Sequence, residues 1–145
     1  PCDVGVESTI IGLFAEPHLL RPGGLPLEMI EQALGHDIQP AQTNVDRAEI
    51  NAPGQLASHY APNATMRLNA TSSTDDELLL GFGEINGELN LSASGDLREA
   101  AANLFGHLHK LDDGSKRPIA VAPIPDHGLG RAINDRLVRA AAPRD

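Results

Sequence analysis

The chain has 145 residues, of which 41% are hydrophobic, so it can bury one complete core and part of a second. It carries 20 acidic against 11 basic residues, and the net charge of −9 argues against direct nucleic-acid binding, because an acidic surface repels phosphate backbones. Its single cysteine excludes an internal disulfide and a thiolate zinc cluster, and no apolar run has the length of a membrane span. We therefore expect a cytoplasmic protein that makes no contact with a membrane.

The first part of the chain has the pattern of an incomplete α/β unit. A β-branched run within Val4–Phe14 predicts a strand, and His18–Leu20 predicts a second extended segment. Apolar residues from Leu27 to Leu34 repeat at helical spacing, and Gly35 can take the left-handed conformation that ends a helix. These pieces alone leave a strand edge uncovered.

Two expectations follow from this incompleteness. The chain begins with Pro1 and shows no signal-peptide pattern, so we expect it to start inside a longer protein. We also expect residues 1–40, without the rest of their sheet, to be displaced, paired with another copy of the chain, or poorly ordered.

A connector follows the helix. Residues 36–50 are polar and aperiodic, and Asn51–Pro62 reads NAPGQLASHYAP, whose prolines are incompatible with a helix or a central strand. The connector nevertheless places His59 next to Tyr60. A plain spacer has no need of an imidazole beside a phenol, so we single out this pair as a candidate functional feature.

The second half alternates strand and helix patterns. Apolar runs predict strands at Leu78–Phe82, Leu89–Ser92 and Pro118–Pro123, with an outer strand near Met66. Amphipathic spacing predicts one helix from Leu97, capped by Asp96 with Glu99 as its partner, and a last helix from Leu129 to Ala141. Strands interleaved with helices of this length are typical of crossover units. The sequence therefore predicts a Rossmann-like three-layer α/β sandwich with a mainly parallel sheet.

Three residues of the first part form a candidate phosphate site. Ser8 and Thr9 place two hydroxyls on a predicted strand, and Arg21 begins an Arg-Pro-Gly-Gly loop. A guanidinium can donate two hydrogen bonds to phosphate oxygens, and glycines let backbone amides come close to a ligand. The alternative is that Ser8 and Thr9 are ordinary strand residues and Arg21 is a surface cation, and spacing alone favours this alternative.

Other polar features have simpler explanations. Gly128-x-Gly130 lacks the third glycine and the acidic partner of a dinucleotide loop, which favours a tight turn over a cofactor site. His107 and His109 point to different sides of a helix and cannot chelate one metal. Asp112-Asp113 and Asp75–Glu77 read as solvated loop charges. We predict no metal site and no catalytic residue from these features.

Four runs resemble one enzyme family in order and spacing. They are GVESTIIGL, LLRPGGLPLEMIEQALG, NAPGQLASHYAP and GLGRAINDRLVRAA. Together they are similar to the end of the YrdC-like catalytic domain, the linker and the C-terminal accessory domain of two-domain L-threonylcarbamoyladenylate synthases. The resemblance implies three parts: residues 1–36 as the end of the catalytic domain, residues 37–62 as the linker, and residues 63–145 as the accessory α/β domain.

The resemblance also implies an activity. Enzymes of this family condense L-threonine, bicarbonate and ATP into threonylcarbamoyl-AMP with Mg²⁺, and partner proteins then transfer the group to a tRNA adenosine. By the matching motifs, Ser8 and Thr9 would line the nucleotide cleft, Arg21 would approach the phosphates, and His59 and Tyr60 would close over the mouth of the cleft. No cofactor is expected in the accessory domain.

The chain departs from the family in one respect. The upstream Lys-x-Arg and Ser-x-Asn motifs, which hold most substrate contacts in the family, do not occur in this sequence. We therefore expect the fragment to be inactive alone. The alternative is a non-catalytic module in which residues 63–145 bind a partner protein or a small regulator, or serve only to support the linker.

Overall fold

The computed structural model describes residues 5–13, 15–40, 62–112, 114 and 116–142. Its N-terminal part comprises β1 (Ile10–Leu13), β2 (Pro17–Arg21), α1 (Leu27–Leu34) and β3 (Gln39–Pro40). Its second part comprises β4 (Met66–Arg67), β5 (Leu78–Gly81), β6 (Leu89–Asn90), α2 (Leu97–Leu111), β7 (Ile119–Val121) and α3 (Leu129–Ala141). Each part has its own sheet.

The N-terminal sheet has the order β1-β2-β3. β1 and β2 are antiparallel, with Ile11 opposite Leu19, and β3 runs parallel to β2. Ile38, just before β3, is buried, so the chain stays attached to this sheet for a few residues beyond position 36. Among the residues described, β1 pairs with β2 of the same chain and lies at the edge of this sheet. That residues 1–40 are displaced, paired with another copy of the chain or poorly ordered stays a prediction.

α1 forms where the sequence predicts it. Pro26 precedes its first turn, and Gly35 ends it in the left-handed conformation with φ 75°, where its N–H donates to the Glu31 carbonyl. No residue of α1 is buried, and Met29 and Leu34 are more than half exposed. Met29 and Leu34 are thus largely uncovered by the described residues, whereas Leu27 and Ile30 are partly buried.

The second sheet has the order β4-β7-β5-β6, and all of its strand pairs are parallel. This confirms the predicted α/β class with a mainly parallel sheet. Successive side chains of a strand point to opposite faces. Leu78 and Leu80 pack with α2 and α3 in the larger core, whereas Leu79 packs with Ala70 and Ala120 in a small cluster. The described residues therefore supply two layers, the sheet and one layer of helices.

Carboxylates fix the ends of these elements. Asp96 caps α2 as predicted, accepting hydrogen bonds from the backbone N–H groups of Arg98 and Glu99. Asp112 accepts hydrogen bonds from the backbone N–H groups of Asn63 and Ala64, at 2.8 and 3.2 Å, so it links the end of α2 to the segment before β4. The interpretation of Asp112 as a solvated loop charge is therefore wrong.

Glu77 is also a structural carboxylate rather than a solvated one. It accepts hydrogen bonds from Arg67 at 2.6 and 2.8 Å and from the backbone N–H of Thr74 at 2.9 Å. These bonds, those from Arg67 first, lower the pKa of Glu77 to about 2.

The N-terminal part packs directly on the second part. Val6 is 2% exposed and belongs to the larger core, alongside residues of α2 and α3. Glu28 of α1 forms an ion pair with Arg131 of α3 at 3.2 Å. Apolar and ionic contacts therefore join the two parts close to the candidate phosphate site.

Candidate functional site

Ser8 and Arg21 meet at the end of the β1–β2 pair, where Ile10 lies opposite Arg21. The guanidinium donates from Nε and Nη2 to the Ser8 carbonyl oxygen, at 3.2 and 3.1 Å, and from Nη2 to the Ser8 hydroxyl at 3.2 Å. Arg21 is only 6% exposed, whereas Ser8 is exposed. The sequence correctly placed these two residues together, but Arg21 is a buried residue that fixes Ser8 and not a surface cation.

Thr9 lies beside them and is held by the loop that follows Arg21. Its hydroxyl donates a hydrogen bond of 2.6 Å to the Leu25 carbonyl. A Cβ at Gly23 would lie 2.3 Å from the backbone carbon of Ser8, so only glycine allows the loop to come this close. The backbone N–H of Gly24 donates to the Glu7 carbonyl at 2.7 Å. The loop thus fixes the backbone that carries both hydroxyls.

Glu7 is a site residue that the sequence analysis did not select. Its Oε2 atom lies 3.5 Å from Nη1 of Arg21 and 2.8 Å from Nη2 of Arg136 in α3. One carboxylate oxygen therefore lies between two guanidiniums, one from each part of the chain. The Arg136 side chain is 1% exposed.

The ion pairs continue along α3. Nη1 of Arg136 bonds Oδ2 of Asp135, and Arg139 donates to both oxygens of Asp135 at 2.9 and 3.0 Å. We call Arg21, Glu7, Arg136, Asp135 and Arg139 the charge network. The described contacts thus link three guanidiniums and two carboxylates across the two parts of the chain.

A shallow cleft lies between the loop after β2 and the start of α3. Its lining includes Thr9, Leu25, Gly128 and Arg131. The Glu28 carboxylate accepts a hydrogen bond of 3.2 Å from the backbone N–H of Gly128. Hydrogen bonds from its own backbone N–H and from that of Gly128, with the charge of Arg131, lower the pKa of Glu28 against the opposing effect of burial.

The Gly128-x-Gly130 turn is explained by packing. A Cβ at Gly130 would lie 1.8 Å from the Pro125 carbonyl oxygen, so the start of α3 rests on the preceding loop. A carboxylate of the same chain, that of Glu28, is bound at Gly128. This agrees with a tight turn and gives no support to a dinucleotide site.

The family model for the C-terminal domain of threonylcarbamoyl-AMP synthase matches residues 25–142. The chain belongs to this family. The threonylcarbamoyl-AMP synthase of Pyrococcus abyssi is 34% identical over 160 residues, which cover 97% of this chain and 47% of the relative. The enzyme of the same name from Bacillus subtilis is 28% identical, covering 99% of this chain and 47% of the relative. The chain thus spans about half the length of the curated relatives it matches.

Solved structures agree with this membership. A crystal structure of P. abyssi Sua5 complexed with L-threonine superposes with a TM-score of 0.80 at 30% identity, covering 96% of this chain and 46% of that one. A variant of P. abyssi Sua5, with a neighbouring histidine and tyrosine both changed to alanine, superposes with a TM-score of 0.77 at 27% identity and the same coverage. The predicted resemblance to the C-terminal portion of a two-domain synthase is therefore confirmed.

Within this synthase fragment, the structure covers only some of the predicted site. Ser8, Thr9 and Arg21 come together, whereas His59 and Tyr60 lie outside the described residues. Among the residues described, no group of three or more histidine, cysteine, aspartate or glutamate side chains could hold a metal ion. Within the same ranges, no helix combines the length and apolar character needed to cross a bilayer.

A signal for Arg136 was present in the sequence. Arg136 lies on the same face of α3 as four buried apolar residues, Ala132, Ile133, Leu137 and Ala140. A charged side chain within an apolar stripe indicates a buried ion pair, because an unpaired charge there is costly. For Glu7, no feature of the sequence other than its position next to Ser8 indicates a role in the site.

Proposed function

We propose that the full-length protein is a nucleotidyltransferase that makes threonylcarbamoyl-AMP in the cytoplasm from L-threonine, bicarbonate and ATP. Partner proteins would then transfer the threonylcarbamoyl group to a tRNA adenosine. The proposal is supported by the family of the chain and by its similarity to relatives named threonylcarbamoyl-AMP synthase. The structural observation that carries it is the buried guanidinium of Arg21, fixed on the exposed Ser8.

The chemistry of the reaction explains the need for positive charge. The threonine amine and bicarbonate would form a carbamate with loss of water. A carbamate oxygen would then attack the α-phosphorus of ATP, while the bond to the β-phosphate oxygen breaks and pyrophosphate leaves. Both reactants are anions, so a fixed cation lowers the barrier to their approach. Arg21 supplies such a cation without the need for rearrangement.

Ser8 and Thr9 would bind the substrates directly. The Ser8 oxygen accepts from Arg21, and its own hydroxyl hydrogen can therefore be donated to an anionic oxygen of a substrate. The Thr9 hydrogen is donated to Leu25, so the Thr9 oxygen can accept a hydrogen bond. We propose that both hydroxyls line the nucleotide cleft, with the positive charge of Arg21 behind them.

The residues described here do not fit a Mg²⁺ site. Mg²⁺ prefers oxygen ligands, particularly carboxylates. The carboxylate of Glu7, which directly precedes Ser8, already has its Oε2 atom between Arg21 and Arg136. We therefore assign no step that involves Mg²⁺ to this part of the protein.

We propose the domain division that the motifs imply: the end of the catalytic domain at residues 1–36, the linker at 37–62 and the accessory domain at 63–145. His59 and Tyr60 would cover the cleft and exclude water from the labile carbamoyl adenylate. In one solved relative, a neighbouring histidine and tyrosine were replaced by alanine. This chain contains one tyrosine, and it follows a histidine directly.

We also propose that this chain alone makes no threonylcarbamoyl-AMP, since the family's Lys-x-Arg and Ser-x-Asn motifs are absent from it. The test is pyrophosphate release from ATP, bicarbonate and L-threonine, measured on the full-length protein and on this fragment. We expect threonine-dependent release from the full-length protein, loss of release in Arg21→Ala, and none from the fragment. A folded full-length protein without release would refute the synthase proposal and favour a binding module.

A further inference from the structure

We propose that Arg136 of the accessory domain is a positioning residue for the nucleotide site, acting on Arg21 and Ser8 through Glu7. This inference rests on the proposed function, because it assigns part of that site to the far end of the chain. If Arg136 has this role, tight ATP binding requires α3 to pack against the N-terminal part, and α3 is then more than a structural support.

The burial of Arg136 is the first step of the argument. Its side chain is 1% exposed, and a buried guanidinium is tolerated only when carboxylates compensate its charge. One partner, Asp135, also binds Arg139 with both carboxylate oxygens. Glu7 is therefore the partner that links Arg136 to the N-terminal part, through the 2.8 Å hydrogen bond from Nη2 to Oε2.

The shared oxygen of Glu7 is the second step. Oε2 binds Arg136 and lies 3.5 Å from Nη1 of Arg21. Because the distance from Arg136 to Oε2 is shorter than that from Arg21, Arg136 interacts more strongly with this carboxylate. Arg21 keeps its Nε and Nη2 donors on Ser8. Without Arg136, the Glu7 carboxylate would lose its 2.8 Å contact and compete with the Ser8 oxygens for the Arg21 guanidinium.

Charge is the third step. Glu7 directly precedes Ser8, so its negative charge lies close to any anion that Ser8 binds. Arg136 places a positive charge 2.8 Å from that carboxylate. Without Arg136 this compensation is lost, and Glu7 would repel a triphosphate more strongly. Both effects weaken ATP binding, and both depend on the carboxylate of Glu7.

The test measures the KM values for ATP and L-threonine in full-length Arg136→Met, Glu7→Gln and the double variant. We expect Arg136→Met to raise the KM for ATP about tenfold, within the range of couplings carried by packed side chains. Its effect on the KM for L-threonine should be smaller. Glu7→Gln in the same chain should restore part of the ATP affinity, because the carboxylate that has lost its contact with Arg136 is then gone. A merely structural role of Arg136 predicts instead that the KM values for ATP and L-threonine change together.

The matched control is Arg67→Met, which removes a guanidinium that is paired with Glu77 in the accessory domain. It should leave both KM values unchanged. If the wild-type protein is active and Arg136→Met has the wild-type KM for ATP, or if the double variant is worse than Arg136→Met, the inference is wrong and the synthase proposal stands. A wild-type protein without activity overturns both.

Arg136→Lys covers the case in which Arg136→Met does not fold. Lysine keeps the charge but has no planar fork to reach Glu7 and Asp135 together. We expect its KM for ATP to rise about threefold, less than for methionine. An unchanged KM for ATP in folded Arg136→Lys, when Arg136→Met cannot be measured, would overturn the inference.

Discussion

Glu7 and Arg136 lie 129 positions apart in the chain and are joined by a 2.8 Å hydrogen bond from Nη2 to Oε2. This bond links the segment just before β1, next to the proposed nucleotide site, with the last helix of the proposed accessory domain. It also explains how an arginine can lie within the apolar face of α3. The neighbouring ion pair between Glu28 and Arg131 joins the same two parts but is more exposed.

Glu7→Gln should destabilise this chain by about 1–2 kcal/mol, because Arg136 remains buried and, among the residues described, keeps only Asp135 as an ionic partner. Urea unfolding at neutral pH measures the change. Glu28→Gln is the matched control and should cost less than about 0.5 kcal/mol, since exposed ion pairs contribute little. Equal losses in the two variants would show that burial of Arg136 does not set the strength of its pair.

Gly23→Ala should destabilise the chain by about 2 kcal/mol or more, because the new Cβ would overlap the backbone of Glu7–Thr9 and force the loop away. Gly106→Ala, inside α2, is the matched control. Nothing lies within 4 Å of a Cβ at Gly106, so alanine should stabilise the helix by about 0.5–1 kcal/mol. Thermal unfolding compares the two, and a neutral Gly23→Ala would contradict the close approach.

Glu77→Gln should destabilise the chain in a pH-dependent way. The folded pKa of Glu77, about 2, lies below its ordinary value of 4.5, so the carboxylate contributes its full stability above pH 4.5. This contribution is lost as the pH falls from 4.5 through about 2. Urea midpoints of the wild type and of Glu77→Gln should therefore differ at about pH 7 and converge towards about pH 2.

The control for this pH dependence is Glu84→Gln, which changes an exposed loop carboxylate. Its midpoint should follow the wild-type midpoint throughout the same pH range. A difference between the wild type and Glu77→Gln that stayed constant down to about pH 2 would exclude the pairs with Arg67 and Thr74 as its cause.

Much of the fold could be predicted because local patterns determine it. The apolar run at Leu78–Gly81 is buried throughout, and the periodicity from Leu97 and from Leu129 matches α2 and α3. The first strand, Ile10–Leu13, is shorter than the stretch Val4–Phe14 within which it was predicted. Val6 is not part of the strand, because its side chain is buried in the core of the second part. A local sequence pattern contains no information on such a contact.

The site was predictable only in part for the same reason. Ser8 and Arg21 could be paired because Ser8 lies just before β1, and β1 and β2 are antiparallel strands with a short connection. Glu7 and Arg136 could not be paired from the sequence. Their contact depends on how the N-terminal part packs against α3, and the local patterns of the two parts do not determine this packing. A charged residue such as Arg136 counts as polar in a periodicity argument, although here its pairing allows complete burial.

His107 should make the stability of the chain fall as the solution becomes acidic. Burial, with the charge of Lys110 as a smaller cause, lowers the pKa of His107 below its ordinary value of 6.5. Its buried Nδ1 atom has no hydrogen-bond partner among the residues described. Protonation is therefore easier in the unfolded chain, so stability is highest above pH 6.5 and is lost as the pH falls through the lowered pKa.

His107→Gln tests this assignment, with His109→Gln as the matched control on the exposed side of the same helix. We expect the wild type and His109→Gln to lose stability between about pH 7.5 and about pH 5, measured by urea unfolding. His107→Gln should lose less over the same interval, because it has no imidazole to protonate at this position. If His109→Gln reduced the pH dependence more than His107→Gln did, the titrating group would be the exposed histidine, and the buried Nδ1 atom would have no part in it.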